Sequence, residues 1–587
     1  MPVFKNNCRN RNNTPSTVLL ESFSRYRRAF SRARAMRFWG ARIREGAIAL
    51  VMTAPLAIPS ITHAQLFPAS IDLATLDGTS GFRIGTPGFE TDGLGLVSSA
   101  GDVNGDGFDD LIVGAYSYGA INGDSYVLFG SNTPFAADID PTTLDGTNGF
   151  VLFNQANDFD FSGSSISGAG DVNGDGFDDL VIGARYANNY AGESFVVLGS
   201  NTPAASVDLT TLNGTNGFVI NGINAGDESG NSVSGAGDVN GDGIDDLIIG
   251  AGGADPGGRS NAGESYVVFG NSTSPGPSFD LSTLNGTNGF VINGVNASDL
   301  SGQSAASGIG DFNGDGIDDL GIGASAADPN GENLAGESYV VFGNNTSSGS
   351  SLDLSTLDGT NGFVLSGLDS GDRSGFSVSG AGDVNGDGVD DLIVGAFRAD
   401  PGGDSDAGES YVVFGNSNTV AALFDLSTLD GTNGFVLEGI NAGDQSGRSV
   451  SGAGDVNGDG IDDLIIGAYR ADDSNGDIDA GEGYVVFGNT SFGSSFDLST
   501  LDGTNGFTLL NSTNSMGFGF AQTLTGFSVS DAGDVNGDGI DDLIIGAPGT
   551  LQGGASFVVF GQAVPEPSSG LLAFGGLLAW LTRRRRG

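Results

Sequence analysis

The stretch Asp-Val-Asn-Gly-Asp-Gly-Phe-Asp-Asp-Leu, at residues 102–111, occurs with small changes seven times in this chain of 587 residues. Each copy places side-chain oxygens on alternate residues of a glycine-rich loop, which is how proteins surround a hard cation such as Ca²⁺. A long and regular period also predicts a repeat architecture. The copies begin at Asp102, Asp171, Asp238, Asp311, Asp383, Asp455 and Asp534, at spacings of 69, 67, 73, 72, 72 and 79 residues.

Each repeat contains four short apolar runs that are typical of β-strands. In the fifth repeat, residues 375–379 precede the acidic loop, residues 392–395 follow it, and residues 410–415 and 434–437 complete the unit. Runs of β-branched and aromatic residues interrupted by Gly and Asp-Gly indicate antiparallel hairpins. Four strands per unit and seven units predict an all-β fold, a seven-bladed β-propeller of four-stranded antiparallel blades.

A second repeated element, Leu-Asp/Asn-Gly-Thr-Asn/Ser-Gly-Phe, indicates that the ring of blades closes. Its first copy precedes the first acidic loop, and no copy follows the last strand-like run at residues 556–561. Every blade therefore receives four strands only if an N-terminal strand near Phe82 completes the last blade. A β-solenoid, the competing architecture, would not need this borrowed strand. The copies begin at Leu76, Leu144, Leu212, Leu284, Leu357, Leu429 and Leu501.

The charge of the chain is distributed unevenly. Residues 65–563 contain seven basic and 69 acidic residues, a net charge near −62. Such a surface repels nucleic acid and attracts cations, although a solubility or salt adaptation would also explain it. The only cysteine, Cys8, and the only histidine, His63, precede this region. Disulfides, thiolate chemistry, histidine-based catalysis and the usual zinc sites are thus excluded from the body of the protein.

The acidic loop differs from an EF-hand. With Asp102 as position 1, an EF-hand would need a bidentate glutamate at position 12, but all seven loops have Val or Ile there. The loop closes instead at position 9, and we expect position 8 to point away from the ion. Turns rich in Asp, Asn and Gly also form without a metal, which is the alternative. The predicted ligands of up to seven Ca²⁺ ions, at positions 1, 3, 5, 7 (carbonyl) and 9, are Asp102, Asn104, Asp106, Phe108, Asp110; Asp171, Asn173, Asp175, Phe177, Asp179; Asp238, Asn240, Asp242, Ile244, Asp246; Asp311, Asn313, Asp315, Ile317, Asp319; Asp383, Asn385, Asp387, Val389, Asp391; Asp455, Asn457, Asp459, Ile461, Asp463; and Asp534, Asn536, Asp538, Ile540, Asp542.

A loop that closes at position 9 and continues into Leu-Ile-Ile-Gly-Ala resembles the FG-GAP repeat of integrin α-subunit propellers. The last repeat shows the name-giving residues best, with Gly-Phe at residues 526–527 and Gly-Ala-Pro at residues 546–548. Other repeats depart from the pattern, with Asn231, Gln303 or Arg448 in place of the phenylalanine. The resemblance implies a seven-bladed propeller with Ca²⁺ in hairpin loops between the first two strands of each blade.

The N-terminal residues 1–64 have the features of a secretory signal. An apolar stretch at residues 46–60 follows three arginines and leads to a small-residue cleavage site at Ala64. Translation from Met36 would give a signal of ordinary length. The alternative is an N-terminal membrane anchor, for which the apolar run is short.

The C-terminal residues 564–587 resemble the PEP-CTERM sorting signal of exported Gram-negative proteins. A Pro-Glu-Pro motif at residues 565–567 precedes an uncharged stretch at residues 568–581 and four arginines at residues 583–586. The resemblance implies transient membrane anchoring and removal by an exosortase-type enzyme. An ordinary C-terminal anchor held by the arginines is the alternative. Both place the body, residues 65–563, outside the cytoplasm.

We therefore expect an exported, calcium-binding, non-enzymatic propeller that mediates adhesion or binds a glycan or protein at the cell surface or in extracellular matrix. An extracellular polysaccharide hydrolase or lyase, which would need carboxylate pairs, Tyr or Arg, is one alternative, and an inert surface scaffold is another. Binding is expected on the face opposite the acidic loops, where turn lengths differ between repeats. Aromatic residues on that face could stack on sugars or peptides, or simply cover the sheet edge: Tyr116, Tyr118, Tyr186, Phe397 and Tyr469.

Overall fold

The computed structural model describes residues 67–85, 93–116, 123–155, 160–345, 349–417, 421–473, 478–512, 523–549 and 554–563. The predicted signal region, residues 1–64, and the predicted sorting tail, residues 564–587, lie outside these ranges. The strands within them form seven five-stranded sheets, so the predicted seven-bladed β-propeller is confirmed. None of the helices in these ranges is long and apolar enough to span a bilayer.

The strands are short and follow one another at regular intervals. In chain order they are β1 (Ser70–Asp72), β2 (Gly81–Ile84), β3 (Gly93–Gly101), β4 (Asp110–Tyr116), β5 (Ser125–Leu128), β6 (Asp138–Ile139), β7 (Gly149–Phe153), β8 (Ser165–Gly170), β9 (Asp179–Ala184), β10 (Glu193–Val197), β11 (Ser206–Asp208), β12 (Gly217–Asn221), β13 (Ser232–Gly237), β14 (Asp246–Ala251), β15 (Glu264–Val268), β16 (Ser278–Asp280), β17 (Gly289–Asn293), β18 (Ala306–Gly308), β19 (Leu320–Ala324), β20 (Glu337–Val341), β21 (Ser351–Asp353), β22 (Gly362–Ser366), β23 (Ser377–Gly382), β24 (Asp391–Ala396), β25 (Glu409–Val413), β26 (Leu423–Asp425), β27 (Gly434–Glu438), β28 (Ser449–Gly454), β29 (Asp463–Ala468), β30 (Glu482–Val486), β31 (Ser495–Asp497), β32 (Gly506–Leu510), β33 (Ser528–Gly533), β34 (Asp542–Ala547) and β35 (Ala555–Val559).

The helices of the described ranges have a single turn each. One is α-helical, α1 (Ala187–Tyr190), and the others are 3₁₀ helices at Leu73–Thr75, Pro141–Thr143, Leu209–Thr211, Pro256–Gly258, Leu281–Thr283, Pro329–Gly331, Leu354–Thr356, Pro401–Gly403, Leu426–Thr428 and Leu498–Thr500.

Each blade has four antiparallel strands, which we letter A to D from the axis outward, and a fifth strand E. The acidic loops connect A to B, so we call that side of the propeller the loop face. The turns from B to C and the connections from D to the next blade lie on the opposite face. In the order A to E, the blades are β3-β4-β5-β7-β11, β8-β9-β10-β12-β16, β13-β14-β15-β17-β21, β18-β19-β20-β22-β26, β23-β24-β25-β27-β31, β28-β29-β30-β32-β1 and β33-β34-β35-β2-β6.

The ring closes through the N-terminal segment, as predicted. Strand β2 pairs antiparallel with β35, with Phe82 opposite Val558, and supplies strand D of blade 7. The preceding strand β1 adds to blade 6, where Ile71 lies opposite Leu509 in a parallel pair. The N-terminal segment therefore fastens two blades of the propeller rather than one.

The four antiparallel strands predicted for each blade are present, and each blade gains in addition the parallel strand E. This strand comes from the C-to-D connection of the next blade, which passes across the outer edge of its neighbour; β16, for example, pairs with β12. It has only two or three residues and ends where an aspartate such as Asp280 caps a 3₁₀ turn through the N–H of Ser282. A segment this short has no apolar periodicity that a sequence pattern could reveal.

The core lies between neighbouring blades. One cluster joins Ile393 and Phe435 of blade 5 to Ile466 and Tyr484 of blade 6, and all four are fully buried. Every residue of a strand B such as Asp463–Ala468 is buried, because this strand has a blade packed on each face. That burial explains its continuous apolar run, and each large side chain contributes roughly 1.5–3 kcal/mol to folding.

Candidate metal centre

Each acidic loop is tied together by the carboxylates at its positions 1 and 5. In the first loop, Asp102 Oδ1 accepts the N–H of Asp106 at 3.0 Å, and its Oδ2 accepts the N–H of Gly107 at 2.9 Å. Asp106 Oδ1 in turn accepts the N–H of Phe108 at 3.1 Å. The equivalent bonds are present in the other six loops. The residues at position 5 are exposed and those at position 1 are half-buried.

The aspartate at position 9 lies beneath the loop and is fully buried. In the fifth loop, Asp391 accepts the N–H of Val384 at 3.1 Å, the N–H of Gly415 at 2.8 Å and the amide of Asn385, the position-3 residue, at 3.2 Å. Burial raises the pKa of Asp391 to about 8, although the bond from Gly415 opposes the shift. The seven equivalents, all 0% exposed, are Asp110, Asp179, Asp246, Asp319, Asp391, Asp463 and Asp542.

The loops offer only oxygen ligands: aspartate carboxylates, an asparagine amide oxygen and a backbone carbonyl. Hard oxygen donors of this kind are the ligands that Ca²⁺ prefers. The two ion pairs among the described residues, Arg83–Asp138 and Arg259–Asp353, lie outside the loops, so the buried aspartates have no cationic side chain beside them. A bound cation would supply that missing charge, and the residues present therefore fit Ca²⁺.

The loops are not arranged as ready-made cages. In the part of the chain that the structure describes, no three acidic or histidine side chains converge closely enough to hold an ion. The reason is visible in the first loop, where Asp102 and Asp106 bond backbone amides while Asn104 contacts Asp110. Positions 3 and 9 are thus joined by hydrogen bonds in each loop, whereas the carboxylates at positions 1 and 5 bond backbone amides of the loop.

The aspartate at position 8 bonds to the neighbouring blade, in line with the expectation that it points away from its own loop. Asp178 Oδ2, in blade 2, accepts the N–H of Asp102, in blade 1, at 2.7 Å. The same bond recurs at all seven blade junctions. The other acceptor and donor pairs are Asp245–Asp171, Asp318–Asp238, Asp390–Asp311, Asp462–Asp383, Asp541–Asp455 and Asp109–Asp534.

On the opposite face, three of the five aromatic residues singled out from the sequence pack against other rings. Tyr118 lies outside the described ranges, and only the backbone of Tyr116 is described. The packed pairs are Tyr186–Phe161 and Tyr186–Tyr190, each with ring centroids 4.9 Å apart, Phe397–Phe376 at 4.7 Å and Tyr469–Phe527 at 5.8 Å.

Sequence analysis missed a set of buried tyrosine–glutamate pairs at the start of strand C. Burial raises the pKa of each glutamate, and the tyrosine hydroxyl donates to the carboxylate. The repeated Glu-X-Tyr tripeptide was the available signal, since the two side chains of residues two apart lie on one face of a strand. The pairs are Tyr266–Glu264 at 2.6 Å, Tyr339–Glu337 at 2.6 Å, Tyr411–Glu409 at 2.8 Å and Tyr484–Glu482 at 2.8 Å.

The structure places this chain in the class of seven-bladed β-propellers that carry an acidic loop between the inner two strands of every blade. The FG-GAP repeat family matches residues 94–128, 162–197, 229–268, 374–413, 446–486 and 527–559, which lie in blades 1–3 and 5–7. The PEP-CTERM protein-sorting motif matches residues 563–586. The chain thus carries six FG-GAP repeats within a seven-bladed propeller, and its sorting motif marks it as exported and surface-associated.

Blade 4 lies outside the matched segments and differs in its inner strand. Gly302 is nine positions before Asp311, whereas Gly230 of blade 3 is eight positions before Asp238. The additional residue accompanies a strand A of only three residues, β18, in place of six residues in β13. The loop of blade 4 nevertheless keeps its buried aspartate and its bond to blade 5.

Several curated proteins are similar to parts of the chain. Integrin alpha pat-2 of Caenorhabditis elegans is 31% identical over 40% of this chain and 17% of its own length. Integrin alpha-7 of Rattus norvegicus is 32% identical over 27% of this chain and 13% of its own length. Phosphatidylinositol-glycan-specific phospholipase D of Bos taurus is 30% identical over 28% of this chain and 18% of its own length. The chain spans less than a fifth of each of these relatives.

Proposed function

We propose that this protein is an exported, non-enzymatic, Ca²⁺-stabilised propeller that mediates adhesion or binds a glycan or protein at the cell surface or in extracellular matrix. The ring of seven buried position-9 aspartates without a cationic partner carries the calcium part of the proposal. The sorting motif and the similarity to integrin α chains support the surface role. Residues 1–64 are the export signal, residues 65–563 the propeller and residues 564–587 the tail that an exosortase-type enzyme removes in a Gram-negative cell.

In this proposal, Ca²⁺ supplies positive charge beside carboxylates that burial would otherwise keep protonated. The residues that would hold it in the fifth loop are Asp383, Asn385, Asp387, the Val389 carbonyl and Asp391, with equivalents in the other loops. The position-5 carboxylate is exposed and would complete the site from the solvent side. The ion would thereby join the loop to the buried end of strand B and stiffen the loop face.

Calorimetric titration and thermal melting of the secreted protein, with and without a chelator, test the calcium part. We expect Ca²⁺ to bind at up to seven sites and to raise the melting temperature. The variant Asp391→Asn should lose about one site, because it removes the buried charge. Its matched control is Asp390→Asn at position 8, which faces blade 4 and should keep all sites. Absence of Ca²⁺ binding in the wild-type protein would refute the calcium proposal.

A glycan array and an adhesion assay with immobilised protein test the binding role. We expect retention of at least one glycan or surface protein by the folded, Ca²⁺-loaded propeller. Release of reducing sugars from extracellular polysaccharide would instead support a hydrolase, and a product with a new double bond would support a lyase. A protein that retains no ligand and no cells, although folded and loaded, would be a scaffold.

A further inference from the structure

The seven basic residues of the body fall into two groups. All are arginines, and all lie within the described ranges. Arg83 and Arg259 form ion pairs with Asp138 and Asp353, at 3.4 and 2.8 Å. The other five form no ion pair among the described residues, and each lies at the strand ends of the opposite face: Arg185, Arg373, Arg398, Arg448 and Arg470.

Arg448 occupies a cage of three aromatic rings contributed by three blades. Its guanidinium carbon lies 4.9 Å from the ring centroid of Phe376 in blade 5, 4.9 Å from that of Tyr469 in blade 6 and 4.8 Å from that of Phe527 in blade 7. Its Nε is buried and has no hydrogen-bond partner. The rings attract the cation through their faces, but they accept no hydrogen bond comparable to that of a carboxylate.

Further arginines extend this cage across the opposite face. Phe376 packs edge-on against Phe397, and the guanidinium of Arg398 lies 5.5 Å from the Phe397 ring centroid. The guanidinium of Arg470 lies 5.4 Å from the ring centroid of Tyr469. We call this group the arginine–aromatic cluster; it consists of Phe376, Phe397, Arg398, Arg448, Tyr469, Arg470 and Phe527.

The cluster brings like charges together without acidic partners. Burial lowers the pKa of Arg448; Tyr469 opposes this shift, and the neighbouring Arg470 adds to it. Burial, and after it the charge of Arg398, lowers the pKa of Arg373, which lies three residues before Phe376. In a body with a net charge near −62, the three arginines of the cluster and the nearby Arg373 are an exception, because none forms an ion pair among the described residues. They therefore call for a counter-charge from outside the chain.

We propose that the arginine–aromatic cluster binds the carboxylate-bearing sugars of an acidic polysaccharide. This assignment rests on the proposed surface-binding function and names its ligand class. The planar guanidinium groups of Arg398, Arg448 and Arg470 pair with carboxylates through two parallel hydrogen bonds. The half-buried rings of Phe376, Tyr469 and Phe527 keep part of their apolar surface exposed beside Arg448, and the C–H face of a sugar ring packs against that exposed part. An acidic peptide would supply the carboxylates but not the flat apolar faces.

The acidity of the remaining surface sets the conditions under which the ligand binds. At low ionic strength, the long-range repulsion from the body opposes the approach of any anion. At about 0.15 M salt the repulsion is screened beyond roughly 8 Å, while direct contacts with the half-buried Arg448 are affected much less. Binding is therefore to be measured near physiological ionic strength.

Isothermal titration of the Ca²⁺-loaded protein with trigalacturonate tests the proposal, because a trimer is too short for Ca²⁺ to cross-link it into a gel. We expect Arg448→Gln to weaken binding about tenfold or more, since it removes a charged hydrogen-bond donor. The double variant Arg398→Gln/Arg470→Gln changes only exposed side chains, so it tests the cluster even if Arg448→Gln fails to fold. Arg259→Gln, which removes an ion-paired arginine, is the matched control and should bind as the wild type does.

Three outcomes would overturn the proposal. One is that trigalacturonate does not bind, another is that the double variant binds it as tightly as the wild type, and the third is that a glutamate tripeptide binds equally well. These outcomes are distinguishable from failure of the proposed function. If the glycan array retains a neutral glycan whose binding survives the double variant, the surface role stands and only the acidic ligand is refuted. If no ligand and no cells are retained, both are refuted.

Discussion

The Asp109 carboxylate accepts the backbone N–H of Asp534 at 2.8 Å, which joins two residues 425 positions apart in the chain. This bond connects the loop of blade 1 to the loop of blade 7 and completes a circle of seven equivalent bonds. Two separate sets of contacts therefore close the ring of blades at the junction of blades 7 and 1. Strand β2 closes it at the outer part of blade 7, and Asp109 closes it at the acidic loops.

Removal of the Asp109 carboxylate should destabilise the ring. Asp109→Ala leaves the N–H of Asp534 without its acceptor, which costs about 1–3 kcal/mol in the free energy of unfolding. Asp109→Asn keeps an acceptor oxygen but removes the negative charge. Burial raises the pKa of the Asp109 carboxyl, which means that the charged form is disfavoured there. Without Ca²⁺, this variant should therefore be as stable as the wild type or more stable. Urea denaturation of both variants, with Asp178→Ala as the equivalent at another junction, measures this. Equal stability of Asp109→Ala and wild type would contradict the closure role.

The glycine before each loop should be replaceable only at high cost. Gly170 and Gly176 both have left-handed backbone, with φ of 68° and 91°. A Cβ at Gly170 would collide with the Asp245 carboxylate of the next blade, whereas a Cβ at Gly176 meets no atom within 4 Å. Gly176→Ala should therefore cost about 1 kcal/mol for backbone strain alone, and Gly170→Ala should cost clearly more. Thermal melts of the two variants in Ca²⁺ measure the difference. Equal decreases in melting temperature would show that the contact with Asp245 is unimportant.

Stability without Ca²⁺ should fall as the pH rises. Burial raises the pKa of six position-9 aspartates to about 8 and that of Asp463 well above its usual range. Because the folded-state pKa exceeds the unfolded value of about 3.9, the folded state binds more protons. The stabilisation is complete below that value and is lost as the pH rises through about 8.

Melting curves of chelator-treated, desalted protein from about pH 5 to about pH 9 measure this trend. In saturating Ca²⁺, the melting temperature should instead fall as the pH is lowered on the acid side, because protons then compete with the cation for the carboxylates. A melting temperature in metal-free protein that rises with pH would contradict the assignment of these aspartates as buried and uncompensated.

The tyrosine–glutamate pairs should be stabilising through their hydrogen bond. Tyr339→Phe removes the hydroxyl that donates to Glu337 at 2.6 Å and leaves a half-buried carboxylate with one partner fewer, at a cost of about 1–3 kcal/mol. The adjacent Ser338 is buried and its hydroxyl has no partner, so Ser338→Ala is a matched control that should be neutral or slightly stabilising. Chemical denaturation compares the two. A larger loss for Ser338→Ala would disprove the interpretation.

Strand β2, which the N-terminal segment supplies to blade 7, should contribute as much to the free energy of unfolding as strand D of any other blade. Phe82 in β2 and Phe435 in β27 occupy the same place in strand D of blades 7 and 5, and both are fully buried. Phe82→Ala and Phe435→Ala should each cost about 3–5 kcal/mol. If Phe82→Ala costs much less in equilibrium unfolding, the N-terminal strand is not integral to the ring.

Sequence patterns predicted the propeller, its blade number and its closure, because seven copies of one loop and seven of one strand signal can be counted. They also located the buried aspartates of the loops by analogy with other cation-binding loops. The fifth strand escaped prediction, since segments such as Leu423–Asp425 have too few residues to show a period. Arg448 was noted only as a departure from the repeat; its aromatic cage comes from blades 5, 6 and 7 and no local pattern could reveal it.

The sequence alone determined which oxygen donors alternate along each loop and how many units form the ring, because spacing and count are local properties of the chain. Only the tertiary structure decided how these residues act on one another. Asp109 belongs to one loop and bonds another, and Phe376, Arg448 and Phe527 come from three units that meet through packing of the inner strands. The physical reason is that the blade-to-blade bonds of the acidic loops join residues 74 to 86 positions apart, or 425 at the closure. Such contacts depend on the curvature of the whole ring.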